Sequence, residues 1–167
     1  MEIFKNLFKS APAKTCTKNE QIAAIPEGKK HSHKIAGAKH YEANIAKLAR
    51  KNPAYNFTQK EIIAKKMFCK NIYEYTFAPK ITKLIPDPTN PHDPNAIKVI
   101  IDEQHVGYIK AGSCARILKM MQENRIAKIE SNICGGRFQN LWTDGKEIQQ
   151  HEKGKTEYKI EITIFEK

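Results

Sequence analysis

Residues 90–109 read NPHDPNAIKVIIDEQHVGYI. The second half of this stretch is β in character. AIKVII at 96–101 and HVGYI at 105–109 are dominated by β-branched and aromatic residues, and Asp102, Glu103 and Gln104 between them predict a hairpin. The first half belongs to a loop. Residues 86–95, PDPTNPHDPN, alternate four prolines with Asp87, Asn90, His92, Asp93 and Asn95. Proline fixes φ and removes a backbone donor, so this loop is stiff. Polar side chains on a stiff loop are already oriented, which lowers the ordering cost of binding a ligand. The same Asx side chains also hold such a loop in shape through Asx-turns. Asn95, next to the strand, is the residue expected to be purely structural.

Working outward, HKIAGA at 33–38 reads as a short strand, with Gly37 marking a bulge or a close approach. Residues 41–51 read as a helix with Ile45, Leu48 and Ala49 on one face, ended by Asn52-Pro53. Thr58 with Glu61 three residues on forms a capping box, opening a second helix whose Ile62, Ile63 and Met67 are expected to face inward. Together these predict a helical pair over residues 41–70. IYEYTF at 72–77 and residues 81–85 read as strands, and residues 113–124 as a helix burying Ile117, Leu118, Met120 and Met121. Residues 126–133 alternate in part. Residues 155–165 alternate strongly, with Tyr158, Ile160, Ile162 and Ile164 on one face, and GGRFQNLWTDG at 135–145 is expected to be a glycine-rich turn. The sum is a small, mainly β domain with inserted helices (α+β), of a pattern that suits a barrel.

The chain has 167 residues, with 29 Lys plus Arg against 18 Asp plus Glu, a formal net charge of +11. That length suits one domain with a tail. Residues 1–30, which include KSAPAKTCTKNE and IPEGKK, read as a basic, loosely ordered segment, and residues 31–167 as the domain. No apolar run approaches the roughly 18 residues of a membrane span. Lys5 and Lys9 interrupt the apolar residues that a secretory signal would need. A cytoplasmic protein without membrane contact is expected. The four cysteines, at 16, 69, 114 and 134, form no CxxC pair and are expected to be thiols. The positive excess favours polyanions, although a solvated lysine-rich surface accounts for it equally well. Lysine neutralises phosphate as a point charge and does not read bases as arginine does.

Other chemistry is sparse. Pro88, Pro91 and Pro94 break the ligand spacing of a calcium loop, and His31 and His33 read as surface histidines. No phosphate-binding glycine loop, nucleophile elbow or HExxH occurs. No enzymatic activity, cofactor or metal is therefore expected.

Residues 90–109 resemble the signature of the HIRAN domain family. Its pattern is an Asn-Pro-Tyr-Asp-x-Asn-Ala-Ile-x-Val run followed by a hairpin ending in Val-Gly-Tyr/His-Leu/Ile. Asn90, Pro91, Asp93, Asn95, Ala96, Ile97, Val99, Val106, Gly107, Tyr108 and Ile109 match it. GAKHY at 37–41 resembles the family's first-strand motif. The likeness covers about residues 33–140. It implies a small OB-like β-barrel with helices outside it, here with an inserted helical pair, and a DNA-binding role. In the family's best understood member the domain holds single-stranded DNA by its free 3′-hydroxyl end. Carried over by position, Asp93 accepts the 3′-hydroxyl hydrogen bond and Asn90 shapes the same pocket. His92 and His40 stand at aromatic positions, His40 beside Tyr41. Lys39 stands at a phosphate-binding position and Lys110 beside another. Residues 42–70 lengthen an interval that is much shorter in the eukaryotic domain.

The leading expectation is a non-enzymatic nucleic-acid-binding module for single-stranded DNA or free 3′-hydroxyl ends. One alternative is a protein-interaction module whose helical insert meets a partner while the barrel serves as scaffold. Another is a metal-dependent end-processing enzyme, which would need carboxylates to converge beyond Asp87 and Asp93.

Overall fold

The computed structural model describes residues 28–143 and 148–167. The expectation for the basic segment falls, up to residue 27, outside them. The chain runs β1 (Lys30–Ala36), a 3₁₀ turn (Ala38–Tyr41), α1 (Glu42–Leu48), β2 (Ala49–Lys51), a second 3₁₀ turn (Pro53–Asn56) and α2 (Gln59–Ala64). Then follow β3 (Ile72–Tyr73), β4 (Tyr75–Phe77), β5 (Thr82–Pro86), β6 (Ile97–Ile101), β7 (Gln104–Ile109), α3 (Ala111–Gln122), β8 (Ile126–Thr143) and β9 (Ile148–Glu166).

Seven strands form one antiparallel sheet in the order β3-β8-β9-β1-β7-β6-β5, and β2 pairs with β4 separately. The sheet curls until β5 returns to β8, where Thr82 Oγ1 and Ser131 Oγ lie 2.8 Å apart. Among the described residues no backbone ladder joins these two strands. The result is an OB-like barrel left open along one seam. Its core is aliphatic: Val99, Ile101, Val106, Ile117, Ile162 and Ile164 are fully buried at its centre, with Ile45 of α1 packed on them. Ile62, Ile72 and Leu141 make a second, smaller core beneath α2.

Local chemistry explains much of this. The Thr58–Glu61 capping box forms as expected. The β6–β7 hairpin closes through two residues, Asp102 and Glu103, at φ 43° and 66°. Those left-handed values are unusual without glycine. The Asp102 carboxylate compensates by accepting from the Lys80 and Ile81 amides at 3.1 and 2.8 Å. Gly107 is required where β7 crosses β1. At φ +145°, a Cβ there would lie 2.5 Å from the Ala36 carbonyl oxygen and 2.7 Å from Ile35 Cγ2.

Four expectations are corrected. The helix expected to reach residue 51 stops at Leu48, because Ala49–Lys51 pairs with β4. Ile63 is 40% exposed, since α2 is only six residues long and Ile62 occupies its single inward position. The strand expected over 72–77 breaks at Glu74, whose N–H bonds to Arg137 while its carbonyl accepts from Asn52, so the chain changes sheets there. The glycine-rich turn expected at 135–145 is strand through Thr143, with a bulge at Gly135. At φ +122°, a Cβ on Gly135 would meet the Glu157 carbonyl oxygen at 2.4 Å, so only glycine lets β9 lie this close.

Candidate nucleic-acid interface

A groove of about 380 Å³ opens between the 3₁₀ turn after β1, the 87–96 loop and the start of α3. His40, Tyr41, Asn90, His92 and Asp93 all line it, joined by Tyr108. The fold thus brings together five sequence-predicted residues that are up to 53 positions apart, from His40 to Asp93. Lys39 and Lys110 are exposed and do not line this groove. Lys39 precedes His40 on the turn, and Lys110 caps α3 at the groove's edge.

The loop holds itself in shape. Its two ends are tied by the Asp87 N–H donating to the Ala96 carbonyl at 2.8 Å. Within it are two Asx-turns: Asn90 Oδ1 accepts from the His92 N–H at 2.9 Å, and Asp93 Oδ1 from the Asn95 N–H at 2.8 Å. Both turns fix the side chains that line the groove, while Asn95 is exposed and takes part through its amide.

Asp87 is the loop's buried anchor. Its carboxylate accepts from Thr89 Oγ1 at 2.8 Å and Tyr108 OH at 3.1 Å, and pairs with Lys98 Nζ at 3.1 Å. The Thr89 hydroxyl and the Lys98 ammonium hold this carboxyl below its ordinary range. With three donors on its carboxylate, Asp87 holds the loop to β6 and β7. Among the described residues no cluster of three or more His, Cys, Asp or Glu is arranged to hold a metal ion.

Behind the groove lies a ring cluster that sequence reading did not identify. Tyr41 lies on His105 with centroids 4.2 Å apart, and His105 meets Tyr108 edge-on at 4.9 Å. Burial, the hydrogen bond with Tyr41 and the neighbouring Asp87 push the Tyr108 phenol up to about 12, so it remains a donor. Burial holds the His105 imidazole below its ordinary range, and its Nε2 lies 3.1 Å from the Gly107 carbonyl. A neutral ring with Nε2–H donating fits that contact. Tyr108 stands in the VGYI motif, and the polar partner that a half-buried tyrosine needs was the available signal. Its partner Asp87, 21 residues away, was not readable locally.

Asp93 faces α3 as well as the groove: its charge adds to burial in raising the Cys114 thiol, which sits in that helix's first turn. Ala111 lines the groove at the same helix N-terminus, where free N–H groups and the helix dipole favour an anion. The groove therefore presents flat rings, one carboxylate oriented by an Asx-turn and a positive helix end, with lysines at its margin. Such a set can stack a base, accept a hydrogen bond from a sugar hydroxyl and steady a phosphate.

A family model described as the HIRAN domain matches residues 68–148, a span that includes Asn90, His92, Asp93, Tyr108 and Lys110. Among solved structures, the crystal structure of the HIRAN domain of human HLTF is similar, with 16% sequence identity, 83% of this chain and 76% of that chain covered, and a TM-score of 0.36. No curated protein matches the chain. Among the described residues no helix is long and apolar enough to cross a membrane.

Proposed function

We propose, from the match of residues 68–148 to the HIRAN-domain family model and from the groove described above, that this chain is a non-enzymatic nucleic-acid-binding module that holds single-stranded DNA by a free 3′-hydroxyl end. The observation that carries this reading is the convergence of His40, Tyr41, Asn90, His92 and Asp93 on one groove. Asp93 receives the terminal hydroxyl with the carboxylate oxygen that the Asn95 amide leaves free. A carboxylate accepts from a hydroxyl and repels a terminal phosphate. His92 and His40, both exposed at the groove, offer ring faces to the last bases. Lys39 and Lys110 neutralise phosphates at its margin. Residues 31–167 act as one binding unit, with residues 1–30 adding basic charge.

The test is fluorescence anisotropy at moderate salt with one labelled oligonucleotide in three forms: free 3′-hydroxyl, 3′-phosphate and blunt duplex. The hydroxyl form binds best. Equal binding of all three removes the end-recognition reading.

The protein-interaction reading has one favouring observation. Ile63 on α2 and Trp142 on β8 are 40% and 44% exposed, on or near the inserted helices. It supplies no role for the groove at the 87–96 loop, which is why nucleic acid is preferred.

A further inference from the structure

Three concavities lie end to end on this molecule. The groove at the 87–96 loop is lined by Ile109, and the next, of about 400 Å³, by Lys110 and by Ile35, the β1 partner of Ile109. This second groove carries Lys34, Lys110 and Lys159, with Tyr158 in its wall. Cys134 lines it and also lines a third groove, of about 290 Å³, where Tyr73, Tyr75 and Phe77 stand with Lys70. Aromatic contact continues across that boundary: Phe77 meets Tyr158 edge-on, with centroids 5.9 Å apart.

The path runs across the strands. Lys34 of β1 lies opposite Glu161 of β9, which lies opposite Asn132 of β8, and Lys159 lies opposite Cys134. From β7 through β1 and β9 to β8 the sheet makes three inter-strand steps. At about 4.8 Å each this is roughly 14 Å, more than a terminal nucleotide occupies. Lys34, Lys70, Lys110 and Lys159 are exposed, and among the described residues none takes part in an ion pair. Glu157 and Glu161 also line the second groove, so it is not a uniformly basic surface. Duplex DNA, whose base faces are hidden, gains nothing from the rings. A single strand uses both features, setting phosphates on the lysines and bases on the aromatic faces.

We infer that the three grooves form one track for the single strand leading away from its 3′ end, with the third groove, built by β3 and β4 against β8, as its far station. The starting point of the track rests on the end-binding reading above. The track itself assigns a role to the chain after the helical insert: β3 and β4 add an aromatic wall beyond the barrel.

The experiment uses the full chain and 3′-hydroxyl oligonucleotides of about three, six, nine and twelve nucleotides, extended on the 5′ side, so that the shortest falls below and the others within the range of roughly 4–16 nucleotides that an OB-type fold engages. Affinity should rise about ten-fold or more with length and then level off. K159E and K70E should each remove about five-fold or more of affinity for the longest strands and leave the shortest unchanged. Y75A should do the same and Y75F should restore binding, because stacking needs the ring and not the hydroxyl. Circular dichroism melting of each variant separates unfolding from lost contact. Affinity that is flat with length, or a rise that survives both K159E and K70E, overturns the track even where the 3′-hydroxyl preference stands. A rise that these variants abolish, without any hydroxyl preference, keeps the track and removes end recognition.

Discussion

Asp87 and Asp93 sit on one loop, yet their surroundings differ sharply. Asp87 is 7% exposed, and its carboxylate is held by Thr89, Tyr108 and Lys98. Asp93 is half-buried at the groove, and among the described residues its carboxylate accepts a single hydrogen bond, from the Asn95 amide. Under the end-binding reading proposed above, this contrast lets loop integrity and end recognition be tested separately. D93N keeps an oxygen for the Asn95 amide and loses the charge. D93A loses both. Each should abolish most of the preference for a 3′-hydroxyl over a 3′-phosphate strand, a loss of about 1.5–3 kcal/mol, the range for hydrogen bonds to charged groups. Titrating both strand forms against each variant measures it. A preference that persists in D93N but falls in D93A would reassign Asp93 to shaping the loop.

At the scale of elements, the groove depends on how closely β1 and β7 approach, because the 3₁₀ turn carrying His40 and Tyr41 follows β1 directly. Gly107 permits that approach. G107A places a methyl group against the Ala36 carbonyl in a backbone region that alanine resists, and should lower stability by about 2 kcal/mol or more. Denaturant unfolding is the check. A G107A protein with wild-type stability would mean that the strands can separate without cost, and that the turn is not fixed by this junction.

For the whole molecule, protons and salt are the informative variables. Burial depresses His33 and His105 below the ordinary histidine value of 6.5. Below that value the unfolded chain takes up protons that the folded chain resists, so stability is full above about pH 6.5 and declines as pH falls through the histidine range. Asp87, depressed from 3.8, adds a second loss at lower pH, as its folded carboxylate is finally protonated. Thermal melting across pH should therefore fall in two stages, and a H33Q/H105Q double variant should flatten the first. A wild-type melting temperature that holds constant from about pH 7.5 to 5.5 contradicts this assignment. Salt reports on the lysines. K39A and K110A should each weaken binding alike on any sequence and reduce the slope of log affinity against log salt by about 0.7. Weaker binding with an unchanged slope points instead to a change in fold.

Wherever the interacting groups lie within a few residues, the amino-acid order alone settled the outcome. The Thr58–Glu61 box, the Asx-turns of Asn90 and Asp93, and the alternation that buries Ile160, Ile162 and Ile164 all followed from spacing. So did the hairpin around Asp102 and Glu103. Short-range hydrogen bonds and strand periodicity need no distant partner to be specified. The rest was decided by partners far along the chain. Ala49–Lys51 became strand because β4 was there to pair with it, and 136–143 stayed extended because β9 lies alongside. The packing of Tyr41 on His105, the tie from Asp87 to Tyr108, and the joining of Phe77 to Tyr158 span 64, 21 and 81 positions. No local pattern encodes such pairs, since only the closing of the sheet brings their side chains within reach.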